Sequence, residues 1–238
     1  MTSGFPGTLV AAAPIEARRA YLRKALGYAC GGLAICGMTG VASMLFLASH
    51  TVLLTGFGPM AIILGCWALT NFVARPMVFG TGNKVAGFFL GTAAQGAALG
   101  FLLLVAVLVS KQDFGNPFTY IGMAIMLTVV AGIGIAGYVL AGPREFSLLG
   151  AGLSATFLPM LVLMGVSFAF PQFVGGTFGI IVAAVFVLIS AAGLLYQLNL
   201  VVHKFTTEMH VEGGYLIAIG VVVLFWNILS LLLRMRRR

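Results

Sequence analysis

The chain has 238 residues, 61% hydrophobic and only 8% charged, with 13 Lys and Arg against 5 Asp and Glu for a formal net charge of +8. Soluble domains carry about a quarter charged residues, so a water-exposed fold is excluded and the chain reads as an all-α polytopic membrane protein. The cations lie between apolar runs and at the tail, the pattern of positive-inside bias and anionic lipid contact rather than of nucleic-acid binding.

Residues 1–24 read as a short cytoplasmic N-terminal segment. It has no basic stretch ahead of an apolar run, so no cleaved signal peptide is expected. It ends in a basic collar of Arg18, Arg19, Arg23 and Lys24. Residues 25–234 read as one transmembrane domain and 235–238 as a basic tail. A span needs about 20 apolar residues. Seven such runs are predicted: Leu26 to Ser49, Gly58 to Ala74, Val85 to Val109, Phe118 to Leu140, Phe146 to Phe168, Thr177 to Val202, and Tyr215 to Leu233. Pro59 and Pro117 suit helix starts, and Pro159 predicts a kink. Gly87, Gly91, Gly96 and Gly100 give two G-x-x-x-G spacings. Close packing inside one bundle is the expected use, with a dimer face as the alternative.

Loop charge sets the orientation. With the N-terminus inside, the inner segments hold Arg18, Arg19, Arg23, Lys24, Arg75, Lys84, Arg144 and Lys204, and the outer loops between spans only Lys111. The N-terminus is therefore expected in the cytoplasm. A crossing seventh span puts the arginine tail outside, whereas a re-entrant one would return it inside.

No Asp, Glu, Lys or Arg lies within the body of any predicted span. Proton relays, ion-coupled transporters and intramembrane proteases need such groups or a nucleophile with its base, so no enzyme is expected. Ser154 and Ser230 have no base at helical spacing. His203, Glu208, His210 and Glu212 cluster before the last span, without the spacing of a zinc motif such as H-E-x-x-H. They read as an interfacial loop of mixed charge. Cys30, Cys36 and Cys66 all fall in spans and read as small core residues. No metal or cofactor is expected. The intramembrane polar side chains (Thr70, Asn71, Thr92, Gln95, Thr128, Ser154, Thr156, Gln197, Asn199, Asn227 and Ser230) are expected to hold helices together, or to line a polar cavity. In the sixth run, Ser190, Gly193 and Gln197 form one stripe at about 100° per residue, and Tyr196, Asn199 and His203 a second. Tyr196, Gln197, Asn199, His203, Asn227 and Ser230 are the candidate polar core or pore.

Three stretches together resemble a known family: GYVLAGPREFSLLGAGL (Gly137 to Leu153), VAAVFVLISAAGLLYQLNLVVH (Val182 to His203) and GGYLIAIGVVVLFWNILSLLLR (Gly213 to Arg234). Their order and spacing resemble the Bax inhibitor-1 family, in particular its bacterial YccA-like branch. The resemblance implies seven helices with the last one central, at a bacterial inner membrane. It also implies a regulator of a membrane-anchored AAA protease of the FtsH type. Calcium-leak members of the family carry a pH-sensitive pair of acids. Here their positions hold Gln197 and Leu224. A cation leak channel or transporter is the alternative function, and it lacks that pair. The resemblance also places position 197 opposite the last helix, which predicts a hydrogen bond between Gln197 and Asn227. On that expectation, Gln197→Leu would cost stability.

Overall fold

The computed structural model describes residues 7–140 and 176–236, and every regular element in it is helical. Helix α1 (Ile15–Ser49) is followed by α2 (Gly58–Ala68), a π-helical turn (Leu69–Ala74) and α3 (Arg75–Phe79), which together make one span. Then come α4 (Lys84–Phe114), α5 (Thr119–Leu140), α6 (Gly176–His203) and α7 (His210–Met235). Among the described residues six helical stretches are long and apolar enough to cross a membrane. The expected fifth span, with Pro159, Ser154 and Thr156, lies outside them, as does most of the first family-like stretch.

Sequence explains the one irregular span among the described residues. Pro76 has no N–H, and its ring crowds the carbonyl four residues back. The helix widens just before it. Thr70 Oγ1 donates to Cys66 O at 2.8 Å and Asn71 Nδ2 to Trp67 O at 2.9 Å, so side chains turn back onto the ladder where it loosens. Helix α7 runs unbroken for 26 residues, about 39 Å at ~1.5 Å per residue, which is the length of a crossing and not of a re-entrant pair.

The described helices divide between two compact units. The first comprises residues 1–105 and 200–222. One core cluster in it comprises Val78, Phe88, Val211 and Tyr215, with Tyr28, Ile35, Phe79 and Ile219 against it. The rings of Tyr28 and Phe88 meet edge to face at 5.5 Å, a favoured aromatic geometry. Helices α1 and α4 approach closely here. Ser43 Oγ donates to Ala97 O at 2.8 Å, and a methyl added at Gly96 would fall on Thr39 Oγ1 and the Cys36 carbonyl. Gly87 lies against Met77, Gly91 against Tyr215, and Gly100 against Ser43. All four glycines of the G-x-x-x-G pattern thus serve packing within the unit. The N-terminal stretch also joins this unit. Val10 is fully buried, Val10 N donates to Phe205 O at 2.9 Å, and Thr207 N donates to Thr8 O at 3.1 Å.

The second unit comprises residues 106–199 and 223–238. Buried Ser110 Oγ caps the start of α5, accepting from Thr119 N at 3.0 Å while donating to Asn116 O at 2.7 Å. Asp113 accepts from Tyr120 OH at 3.0 Å and pairs with Arg236 Nε at 2.8 Å. Helix α5 buries Tyr120, Ala124 and Thr128 along one stripe and leaves Met126, Val130 and Ile133 exposed, as a lipid-facing helix must.

Enclosure is uneven. In its most apolar stretch α4 is 56% buried and α7 39%, against 17–22% for the other four spans. By that measure α4 and α7 are the two most buried of the six described spans.

Candidate functional site

Tyr196, Gln197 and Asn199 of α6 and Leu224, Asn227 and Ser230 of α7 all belong to the second unit, whereas His203 falls in the first. Asn199 is buried and Leu224 fully so, while Tyr196, Gln197, His203, Asn227 and Ser230 are half-buried.

The expected Gln197–Asn227 hydrogen bond is absent. Asn227 Nδ2 donates to Val223 O of its own helix at 3.0 Å. Gln197 Oε1 is buried with no hydrogen-bond partner. A side chain four residues along a helix reaches its own turn's carbonyl without crossing to a neighbour. The same geometry claims Thr92, which donates to Phe88 O, and Thr128, which donates to Ala124 O, as it does Thr70 and Asn71. The expectation of interhelical bonds is corrected for these residues. An unpartnered buried amide oxygen costs stability rather than adding it. Gln197→Leu is therefore expected to raise the unfolding free energy in detergent by about 1 kcal/mol. A loss of similar size would restore the paired picture.

A charged pair was not legible in advance. Glu212 reads from sequence as part of a loop, but α7 starts at His210 and places Glu212 in its first turn, 1% exposed. Lys84, the first residue of α4, donates from Nζ to Glu212 Oε1 at 2.6 Å. The second carboxylate oxygen, Oε2, is buried without a hydrogen-bond partner, as is Tyr215 Oη one turn further along. Tyr21 Oη reaches Met209 O at 3.5 Å, at the residue just before the helix. The ring of His210 lies 5.6 Å from that of Tyr28. The loop cluster is thereby taken apart: Glu212 is inside, Glu208 exposed, and His210 against an aromatic ring. Among the described residues no three His, Cys, Asp or Glu side chains converge as metal ligands. A carboxylate at the N-terminal turn of a helix is favoured by the helix dipole, and that was the available signal.

Ion pairs therefore join α4 and α7 in both units, Lys84–Glu212 in the first and Asp113–Arg236 in the second. Within the first unit Lys84 meets Glu212 and, further along both helices, Gly91 meets Tyr215, so α4 and α7 run there in the same direction.

The fold defines the class: an all-helical, multi-pass membrane protein with its charge at helix ends. The chain belongs to the family described as "Inhibitor of apoptosis-promoting Bax1", whose model matches residues 18–238. It is similar to the "Golgi anti-apoptotic protein" of Vaccinia virus (strain Lister), 27% identical over 235 residues, covering 95% of this chain and 90% of the relative. It is also similar to mouse (Mus musculus) "Protein lifeguard 4", 26% identical over 237 residues, with 95% and 90% covered. No solved structure matches the chain.

Proposed function

We propose that this protein is a non-enzymatic membrane regulator of the YccA-like branch, acting on a membrane-anchored AAA protease of the FtsH type in a bacterial inner membrane. The observation that favours a regulator over a calcium leak is position 224. There a fully buried leucine stands where the family resemblance expects an acid, and its partner position 197 holds an amide. Neither group titrates, so the pH-sensitive pair has no counterpart here. The similarity to proteins named for opposing apoptosis supports a regulatory role in general. Of the remaining candidate residues, Tyr196, Asn199, Asn227 and Ser230 are proposed as helix-packing groups of the second unit and His203 as one of the first. The test is twofold. Crosslinking in bacterial membranes is expected to recover an FtsH-type protease with the tagged protein. Purified protein in liposomes is expected to pass little calcium, with little change between about pH 6 and 8. Robust acid-gated flux without protease recovery would reverse the assignment.

We further propose seven crossings with a cytoplasmic N-terminus. Support comes from α4 and α7 running in the same direction, which requires an odd number of crossings between them, while α5 and α6 supply two. In a background without Cys30, Cys36 and Cys66, single cysteines at Gln112 and Glu208 are expected to label from opposite sides of the membrane, with Glu208 on the cytoplasmic side. Labelling from one side would break the parity.

A further inference from the structure

At 35 residues α1 is about 52 Å long, at ~1.5 Å per residue, against about 30 Å of hydrocarbon. Its apolar part begins at Leu26, so the first three turns extend into the headgroup layer. Those turns carry Arg18, Arg19, Arg23 and Lys24. The helix has a distinct inner side, with Tyr21, Ala25, Ala29 and Cys36 buried in the first unit. Arg18 leans toward that side and is half-buried, whereas Arg19, Arg23 and Lys24 are exposed. At about 100° per residue, Arg19 and Arg23 lie ~40° apart and Lys24 a further ~100° round, all on the outer side. Exposed Met38, Val41 and Leu45 continue that same side further up the helix. The three cations thus sit beneath the surface that lipid chains cover. None of them forms an ion pair with a carboxylate among the described residues, Glu16 on the preceding turn included. Above them, Gly27 and Gly31 are exposed, with open space where a Cβ would stand. The absence of side chains there leaves the helix surface open on the same side.

We propose that the outer side of α1 is a docking surface for an anionic phospholipid. The phosphate is held by Arg19, Arg23 and Lys24, and an acyl chain lies over Gly27 and Gly31. Charge complementarity selects the occupant. Three unpaired cations at headgroup depth attract a net-negative lipid, and a zwitterionic one far less. Arginine adds a planar fork that matches a phosphate. The surface is independent of the regulatory function, because it requires no partner protein and no ion pathway.

The experiment uses the full chain reconstituted in symmetric phosphatidylcholine vesicles, in which insertion direction is immaterial. Spin-labelled phosphatidylglycerol and phosphatidylcholine are compared for the fraction immobilised at the protein surface. The wild type is expected to favour phosphatidylglycerol by about 5-fold or more, with most of the preference lost in ~1 M KCl. The triple variant Arg19→Gln/Arg23→Gln/Lys24→Gln is expected to fall to within about 2-fold of parity. Arg19→Lys/Arg23→Lys, which keeps the charge, should retain most of the preference. Lys204→Gln removes an exposed cation of the same unit that lies off α1, and should leave the preference unchanged. Equal loss in Lys204→Gln would mean a diffuse charge effect and overturn the site. So would a preference that survives the triple variant or high salt.

Discussion

Lys84→Met is expected to lower the unfolding free energy in detergent by about 2–4 kcal/mol. It leaves the Glu212 carboxylate with neither oxygen bonded, because Oε2 already lacks a partner. Breaking a wholly buried pair costs about 3–5 kcal/mol, and the value here is lower because the Lys84 side chain is 41% exposed. The double variant Lys84→Met/Glu212→Met removes both charges and is expected to recover most of the loss. That asymmetry is the signature of a desolvated ion pair, since the penalty comes from the stranded charge more than from the lost attraction. A single-variant loss below about 0.5 kcal/mol would mean that the pair acts as an ordinary exposed salt bridge.

Gly96→Val is expected to cost about 3 kcal/mol, at the upper end for an overpacked core. Its Cβ would overlap both Thr39 Oγ1 and the Cys36 carbonyl oxygen. A hydroxyl can rotate away, but a backbone carbonyl inside α1 moves only if the helix moves. The comparison is Gly132→Ala on α5, where nothing lies within 4 Å of the added methyl. There the gain in helix propensity is about 0.8–1 kcal/mol, so stability should be unchanged or slightly raised. Equal tolerance at the two sites in an unfolding titration would contradict the close approach of α1 and α4.

The N-terminal residues show how far pattern reading reaches. Nothing in the stretch before Pro14 marks Val10 as a core residue, because it has no helical or strand periodicity. It is buried where Val10 N donates to Phe205 O and Thr8 O accepts from Thr207 N, across nearly 200 positions of sequence. The glycine pattern of α4 was legible as close packing, and the structure supplies its partners: α1 for Gly96 and Gly100, and Tyr215 for Gly91.

Sequence alone determined the membrane class, the family and all six described membrane-length helices, because about 20 apolar residues in a row have no other stable environment. Two starts moved: α1 begins eleven residues before the apolar run and α7 five before its own. Polar flanks stay helical once backbone hydrogen bonding has begun, so hydropathy places the membrane and not the helix ends. Tertiary structure alone decided the fate of individual polar groups. Gln197 and Asn227 are both amides on apolar helices, and their residue types give no reason for one to bond its own carbonyl while the other keeps a buried oxygen unpaired. Glu212 reads as a loop carboxylate until Lys84 is brought to 2.6 Å from it. Hydrophobic burial depends on local composition and can be summed along a chain. A hydrogen bond or ion pair depends on where two distant atoms meet, and only packing sets that distance.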